Sequence, residues 1–152
     1  MGLHADYQME LDAIRQAFGY DFLALALVEP AEQQYVIRWK YATGNLNERF
    51  RRIVLKSGKG IAGMVFKTGK PVFIPSVRDY VAASSLFNYP IVQSEKLESL
   101  GAVPIWNDSR VSGVLLGGFR EEDLMTPDLM FALEQAARHG IGELDGKEVA
   151  SQ

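Results

Sequence analysis

The stretch Leu55–Pro71, Leu-Lys-Ser-Gly-Lys-Gly-Ile-Ala-Gly-Met-Val-Phe-Lys-Thr-Gly-Lys-Pro, has the makings of a small-anion site. Gly58 and Gly60 let the backbone turn sharply and approach a ligand with no Cβ in between. A helix is predicted to begin near Ile61, with Met64, Val65 and Thr68 following at helical spacing. Gly69 is its predicted C′ residue, and Pro71 prevents it from continuing. The N–H groups around Ile61 and Ala62 have no acceptor within such a helix and lie at the positive end of its dipole. An anion fits there. A glycine-rich turn satisfied by water would use the same residues, and the spacing matches neither a Walker A loop nor a Gly-x-Gly-x-x-Gly turn.

Other chemistries are scarce. The chain has no cysteine, which excludes disulfides, thiolate nucleophiles and cysteine-ligated clusters. Its two histidines, His4 and His139, are far apart and form no clear metal pair. His139 falls late in a predicted helix, where a cation is favourable. Glu95 and Glu98 are not a convincing acid/base pair, because nothing nearby suggests a substrate. Lys59, Lys67 and Lys70 read as solvated, and Arg49, Arg51 and Arg52 as an exposed basic edge or a partner-docking site. A net charge of −3 and the lack of a Lys/Arg block give no reason to expect nucleic-acid binding. The apolar runs are too short to span a bilayer, and no basic-then-apolar leader opens the chain, so a cytoplasmic protein is expected.

The elements that must position the anion-binding stretch follow from periodicity. Tyr7, Leu11, Ile14 and Phe18 form one face of a helix that stops at Gly19. Phe22 to Val28 reads as a buried strand closed by Glu29-Pro30. In Tyr35 to Thr43, period-2 spacing puts Tyr35, Ile37, Trp39 and Tyr41 on one face. Ile53 to Leu55 and Val72 to Ile74 are short strands on either side of the glycine-flanked helix. Gly101 to Trp106 and Val111 to Phe119 make a hairpin across Asn107–Arg110. Thr126-Pro127-Asp128 opens a helix whose apolar face runs through Met130, Leu133, Ala137, Ile141 and Leu144. Between the fourth strand and the hairpin, Ser76 to Ser99 matches no regular element except a helical turn near Glu95 to Leu97. A connection this long is usually functional, and Phe87, Tyr89, Ile91 and Val92 mark it as a lid that packs down. Short connections favour antiparallel pairing, with both terminal helices on one sheet face and the lid and short helix on the other. Residues 1–145 are read as a single domain and 146–152 as a polar C-terminal tail.

Leu55-Lys-Ser-Gly-Lys-Gly-Ile-Ala-Gly, Thr68-Gly-Lys-Pro-Val-Phe-Ile, Ala102-Val-Pro-Ile and Gly113-Val-Leu together resemble the GAF domain pattern, from about Phe22 to Leu144. The resemblance implies an α+β fold with a central antiparallel sheet of about six strands between helical layers, and a ligand pocket roofed by the lid. Ile37-Arg-Trp-Lys-Tyr, the run from Thr43 to Leu55 and Tyr89-Pro-Ile are similar to the stand-alone nitrate receptors of firmicute bacteria, single GAF domains without an attached output domain. Members of that group bind nitrate and modulate an oxygen-sensing histidine kinase that controls nitrate respiration. Their site, carried over, implies ligand contacts from Trp39, the backbone of Ile61 and Ala62, and Tyr89, Pro90 and Ile91. The resemblance implies no cofactor in this chain, no catalytic residue, and a sensor kinase as partner. It leaves a homodimer through the terminal helices open.

Nitrate is a planar monovalent anion with diffuse charge, cheaper to dehydrate than phosphate or a carboxylate. Neutral N–H donors and aromatic walls can therefore hold it without a buried arginine. Each hydrogen bond to a charged acceptor contributes roughly 1.5–3 kcal/mol when shielded from water. A GAF module for another small ligand, such as a nucleotide, an organic acid or haem, is the alternative. The methionine sulfoxide reductase chemistry of some stand-alone GAF proteins uses cysteines, which are lacking here. The same N–H donors would serve nitrite, chloride or iodide.

Overall fold

The computed structural model describes residues 6–147. His4 and the tail from residue 148 onward lie outside the described residues. The elements follow in the order α1 (Tyr7–Phe18), β1 (Phe22–Ala31), β2 (Gln34–Thr43), a 3-10 turn (Arg49–Arg52), β3 (Val54–Lys56), α2 (Gly60–Thr68) and β4 (Val72–Ile74). Then come α3 (Val77–Tyr80), a second 3-10 segment (Ala83–Asn88), α4 (Pro90–Glu95), β5 (Ser99–Asn107), β6 (Arg110–Phe119) and α5 (Pro127–His139). The six strands form one antiparallel sheet in the order β3-β2-β1-β6-β5-β4.

Local chemistry sets most boundaries. The Asp6 side chain accepts from the Met9 N–H at the start of α1, and Gly19 ends that helix in the left-handed conformation. Thr126 accepts from the Leu129 N–H, and Pro127 opens α5 where its missing N–H costs nothing. The β5–β6 turn is tighter than the four residues expected. Asp108 and Ser109 both take positive φ, the two-residue geometry that suits strand twist. β1 runs on through Pro30 instead of stopping there. β6 pairs with it only as far as Leu27, so Pro30 has β2 on one side alone and its absent N–H breaks no second ladder.

Two cores flank the sheet. On one face α1 and α5 cover Leu11, Leu23, Leu25, Val103, Ile105, Leu115 and Leu133. On the other, α2 and the segment from α3 to α4 cover Phe22, Ile37, Trp39, Ile61, Ala62, Ile91, Leu100 and Leu116. A β-bulge corrects the predicted alternation in β2. Ala26 pairs with Trp39 while Leu25 pairs with Tyr41, so Lys40 is the extra residue. Ile37 and Trp39 keep the lid face, and Tyr41 crosses to the other, where its ring stacks on Tyr7 at 4.9 Å.

Two other expectations change. Ser76 to Ser99 is not irregular; it holds two short helices and a 3-10 segment, too brief for periodicity to reveal. α5 stops at His139, because Gly140 and Gly142 take positive φ; Ile141 and Leu144 return to the core as an isolated bridge. The junction between the domain and the predicted polar tail is docked: the Asp145 N–H donates to Asn107 Oδ1 and the Gly146 N–H to the Trp106 carbonyl. Gly142 N–H to Glu10 Oε2, at 2.8 Å, and Glu143 N–H to the Tyr7 hydroxyl join this stretch to α1.

Candidate functional site

α2 forms as its glycines direct. Gly58 and Gly60 have φ of +83° and +67°, which side-chain-bearing residues seldom adopt. Gly63 packs so closely on the end of β3 that a Cβ would run into the Lys56 carbonyl oxygen. The Gly58 N–H donates to the Gly63 carbonyl at 2.8 Å, closing the turn onto the helix. Lys59, in the N-cap position, makes no side-chain cap hydrogen bond. The first-turn N–H groups of Gly60, Ile61 and Ala62 therefore lack both an intrahelical acceptor and a capping side chain. All three residues are buried. Lys59, Lys67 and Lys70 are exposed, as expected.

Trp39 is 1% exposed, and its indole N–H has no hydrogen-bond partner. Such a donor is uncommon, because leaving it unpaired costs roughly 1–3 kcal/mol. Trp39, Ile61, Ala62 and Ile91 belong to one buried cluster, and Tyr89 packs against it from the lid. Pro90 is half-buried at the first position of α4, and the Ile91 N–H follows it in the first turn, with no intrahelical acceptor. Residues from a central strand, a short helix and the lid, widely separated in the chain, thus meet on one side of the sheet. Two aromatic rings, a helix start and an unpaired indole N–H can solvate a small monovalent anion with neutral donors.

The exposed surroundings are basic. A cleft of about 450 Å³ beside Pro90 is lined by Arg49, Ile53, Gln93 and Ser94. Arg51 lies over the Phe50 ring at 4.8 Å and pairs with Glu48 at 2.7 Å. Hydrogen bonds from Arg51 and then Asn45 hold the Glu48 carboxyl below the usual carboxylate range. Among the described residues, no cluster of three His, Cys, Asp or Glu is placed to hold a metal ion, and no helix is long and apolar enough to cross a membrane. His139 is exposed in the last turn of α5.

From the sequence alone, Glu95 is set aside as an acid/base candidate and Arg120 is not singled out. Glu95 is wholly buried on α4 and pairs with Arg120, just after β6, at 2.8 Å. The available signal was a glutamate one helical turn after Ile91, on the face that carries the lid's apolar residues.

A GAF domain model matches residues 7–140. The chain belongs to the GAF domain family. A hypothetical protein from S. aureus is 43% identical, with a TM-score of 0.72, over 76% of this chain and 93% of its own. An NreA protein from Staphylococcus aureus, mutated in its nitrate binding site, is 41% identical with a TM-score of 0.74, over 80% of this chain and 90% of its own. The free methionine-R-sulfoxide reductase from Neisseria meningitidis shares the GAF fold at 20% identity and a TM-score of 0.62, over 89% of this chain and 79% of its own. Among curated proteins, none matches the chain.

Proposed function

We propose that this GAF domain is a receptor for a small anion, with nitrate as the ligand, and that it is not an enzyme. The observation that carries the reading is the buried, unpartnered indole N–H of Trp39, in the same cluster as the uncapped start of α2. An anion between them would accept from both, and the helix dipole adds its field. Tyr89, Pro90 and Ile91 would close over it from the lid. The similarity to the S. aureus NreA protein supports nitrate over other monovalent anions. The aliphatic and aromatic lining disfavours a nucleotide or another large polar ligand.

In this reading the protein works in the cytoplasm and reports nitrate to an oxygen-sensing histidine kinase of a two-component system that controls nitrate respiration. The ligand orders the lid and so changes the surface offered to that kinase. A ligand shifts such an equilibrium only by its differential affinity for the two states. Calorimetric titration with nitrate beside nitrite, chloride and a carboxylate, on the natural protein and Trp39→Ala, tests the receptor. Saturable one-site nitrate binding that weakens in the variant is expected. No heat and no thermal stabilisation by millimolar nitrate would overturn the reading. Binding of the purified kinase, with and without nitrate, tests the partner.

A further inference from the structure

We propose that Glu95 and Arg120 form a latch that positions the lid helix α4, and with it Tyr89–Ile91, over the anion site. The inference rests on the receptor reading for its functional meaning, and on geometry for the latch itself. α4 has only six residues, too few to be a stable helix unaided, so its position depends on tertiary contacts. Its N-terminal end carries the lid's proposed ligand contacts. About 7.5 Å along, by helix rise, its C-terminal end carries Glu95.

Arg120 ties that end to three other segments. Its Nη2 donates to Glu95 Oε1 at 2.8 Å and to the Gly44 carbonyl at 3.1 Å, where β2 has ended. Its Nε donates to the Glu95 carbonyl at 3.0 Å. Its Nη1 donates to the Asp21 carbonyl at 3.4 Å, beside the start of β1, and its backbone N–H donates to Asp21 Oδ2 at 2.8 Å. The Leu46 N–H donates to the same Glu95 Oε1 at 2.8 Å, and Asn47 Nδ2 to the neighbouring Ser94 carbonyl at 3.1 Å. One carboxylate and one guanidinium thus join α4 to the ends of β1, β2 and β6.

The latch is incompletely satisfied. Glu95 is fully buried, yet its Oε2 has no partner. Burying a carboxylate with a free oxygen is costly, and opening the lid would return that oxygen to water. The closed lid is therefore held by a pair that can release. The charge balance also matters, because Glu95 lies one turn from Ile91 on the buried face of α4. Unpaired, its negative charge would repel an anion under the lid; Arg120 neutralises it.

Hydrogen exchange of the full chain, with and without millimolar sodium nitrate, tests the latch beside nitrate titration. Arg120→Met and Glu95→Ala are expected to speed exchange across residues 83–97 about tenfold or more while leaving β1 and β6 amides unchanged. Nitrate affinity should fall by the factor by which the closed population falls. Glu95→Gln keeps an acceptor for the Leu46 N–H and Arg120, and should stay within about threefold of the natural protein in both readouts. Should Arg120→Met fail to fold, the double variant E95Q/R120M leaves no buried charge and should still loosen the lid. Unchanged lid exchange in E95Q/R120M and Glu95→Ala would overturn the latch, as would equal acceleration throughout the sheet. Selective lid loosening with no nitrate response in any chain, the natural one included, would uphold the latch and overturn the receptor reading.

Discussion

Both faces of the sheet bury an apolar core, but they treat their polar groups differently. Beneath α1 and α5, the Tyr20 hydroxyl donates to the Leu129 carbonyl, Thr126 caps its helix, and Glu10 and Tyr7 take the N–H groups of the C-terminal stretch. On the lid side lie the four buried polar atoms without partners among the described residues: Trp39 Nε1, Ser76 Oγ, Ser94 Oγ and Glu95 Oε2. Buried polar groups are ordinarily paired, so a cluster of exceptions marks where a structure has another task besides folding. One face holds the domain together. The other leaves buried polar groups unpaired and is covered by short helices.

The sharpest way to break this comparison is to damage the stabilising face alone. Leu133 is fully buried under α5, and Leu133→Ala should cost about 2–5 kcal/mol of folding stability. Thermal denaturation would show the lowered Tm, while the nitrate Kd at a temperature where the variant is folded should stay unchanged. A large loss of affinity would mean that the two faces are not separable.

Trp39→Phe makes the converse test. It keeps an aromatic wall but removes the indole N–H, and should weaken nitrate binding about ten- to hundredfold, the worth of one shielded hydrogen bond to a charged acceptor. Calorimetry would read this, and equal affinity in the variant would show that the unpaired donor is not a ligand contact. Gly63→Ala should cost about 1–3 kcal/mol, because its Cβ would push the start of α2 off the Lys56 carbonyl. Nitrate affinity should fall as well, because the displaced helix start carries the proposed donors; an unchanged Kd would show that α2 supplies none.

The smallest effect belongs to alkaline pH. Burial pushes the Tyr20 phenol above its ordinary value of 10.0. The unfolded chain then ionises first, so this tyrosine's contribution is fully present below pH 10 and is lost as pH rises beyond it. Denaturant midpoints measured from pH 8 to above 10 should fall in the natural protein, and less steeply in Tyr20→Phe. Identical slopes would show that Tyr20 is open to solvent and that this face is looser than its packing indicates.

The features legible in the sequence are those with local causes. Glycines that need positive φ, a threonine cap followed by proline, and apolar spacing of 3.6 or 2 residues depend on near neighbours, so α1, α2, the hairpin and the start of α5 could be read directly. The grouping of Trp39, Ile61, Ala62, Tyr89, Pro90 and Ile91 came from the family resemblance, and the fold places them on one side of the sheet. The bulge at Lys40 could not be read, because it arises from how β1 and β2 pair, and a pairing register belongs to two strands at once. Nor could the short lid helices, whose conformation depends on what they pack against. The Glu95–Arg120 pair, 25 positions apart, is a long-range bond between residues that in isolation look like ordinary surface charges. Sequence determines what each segment can become through interactions within a few residues. Tertiary structure alone decides which distant charges are buried together and which donors stay unpaired, because burial and pairing are properties of the assembled chain.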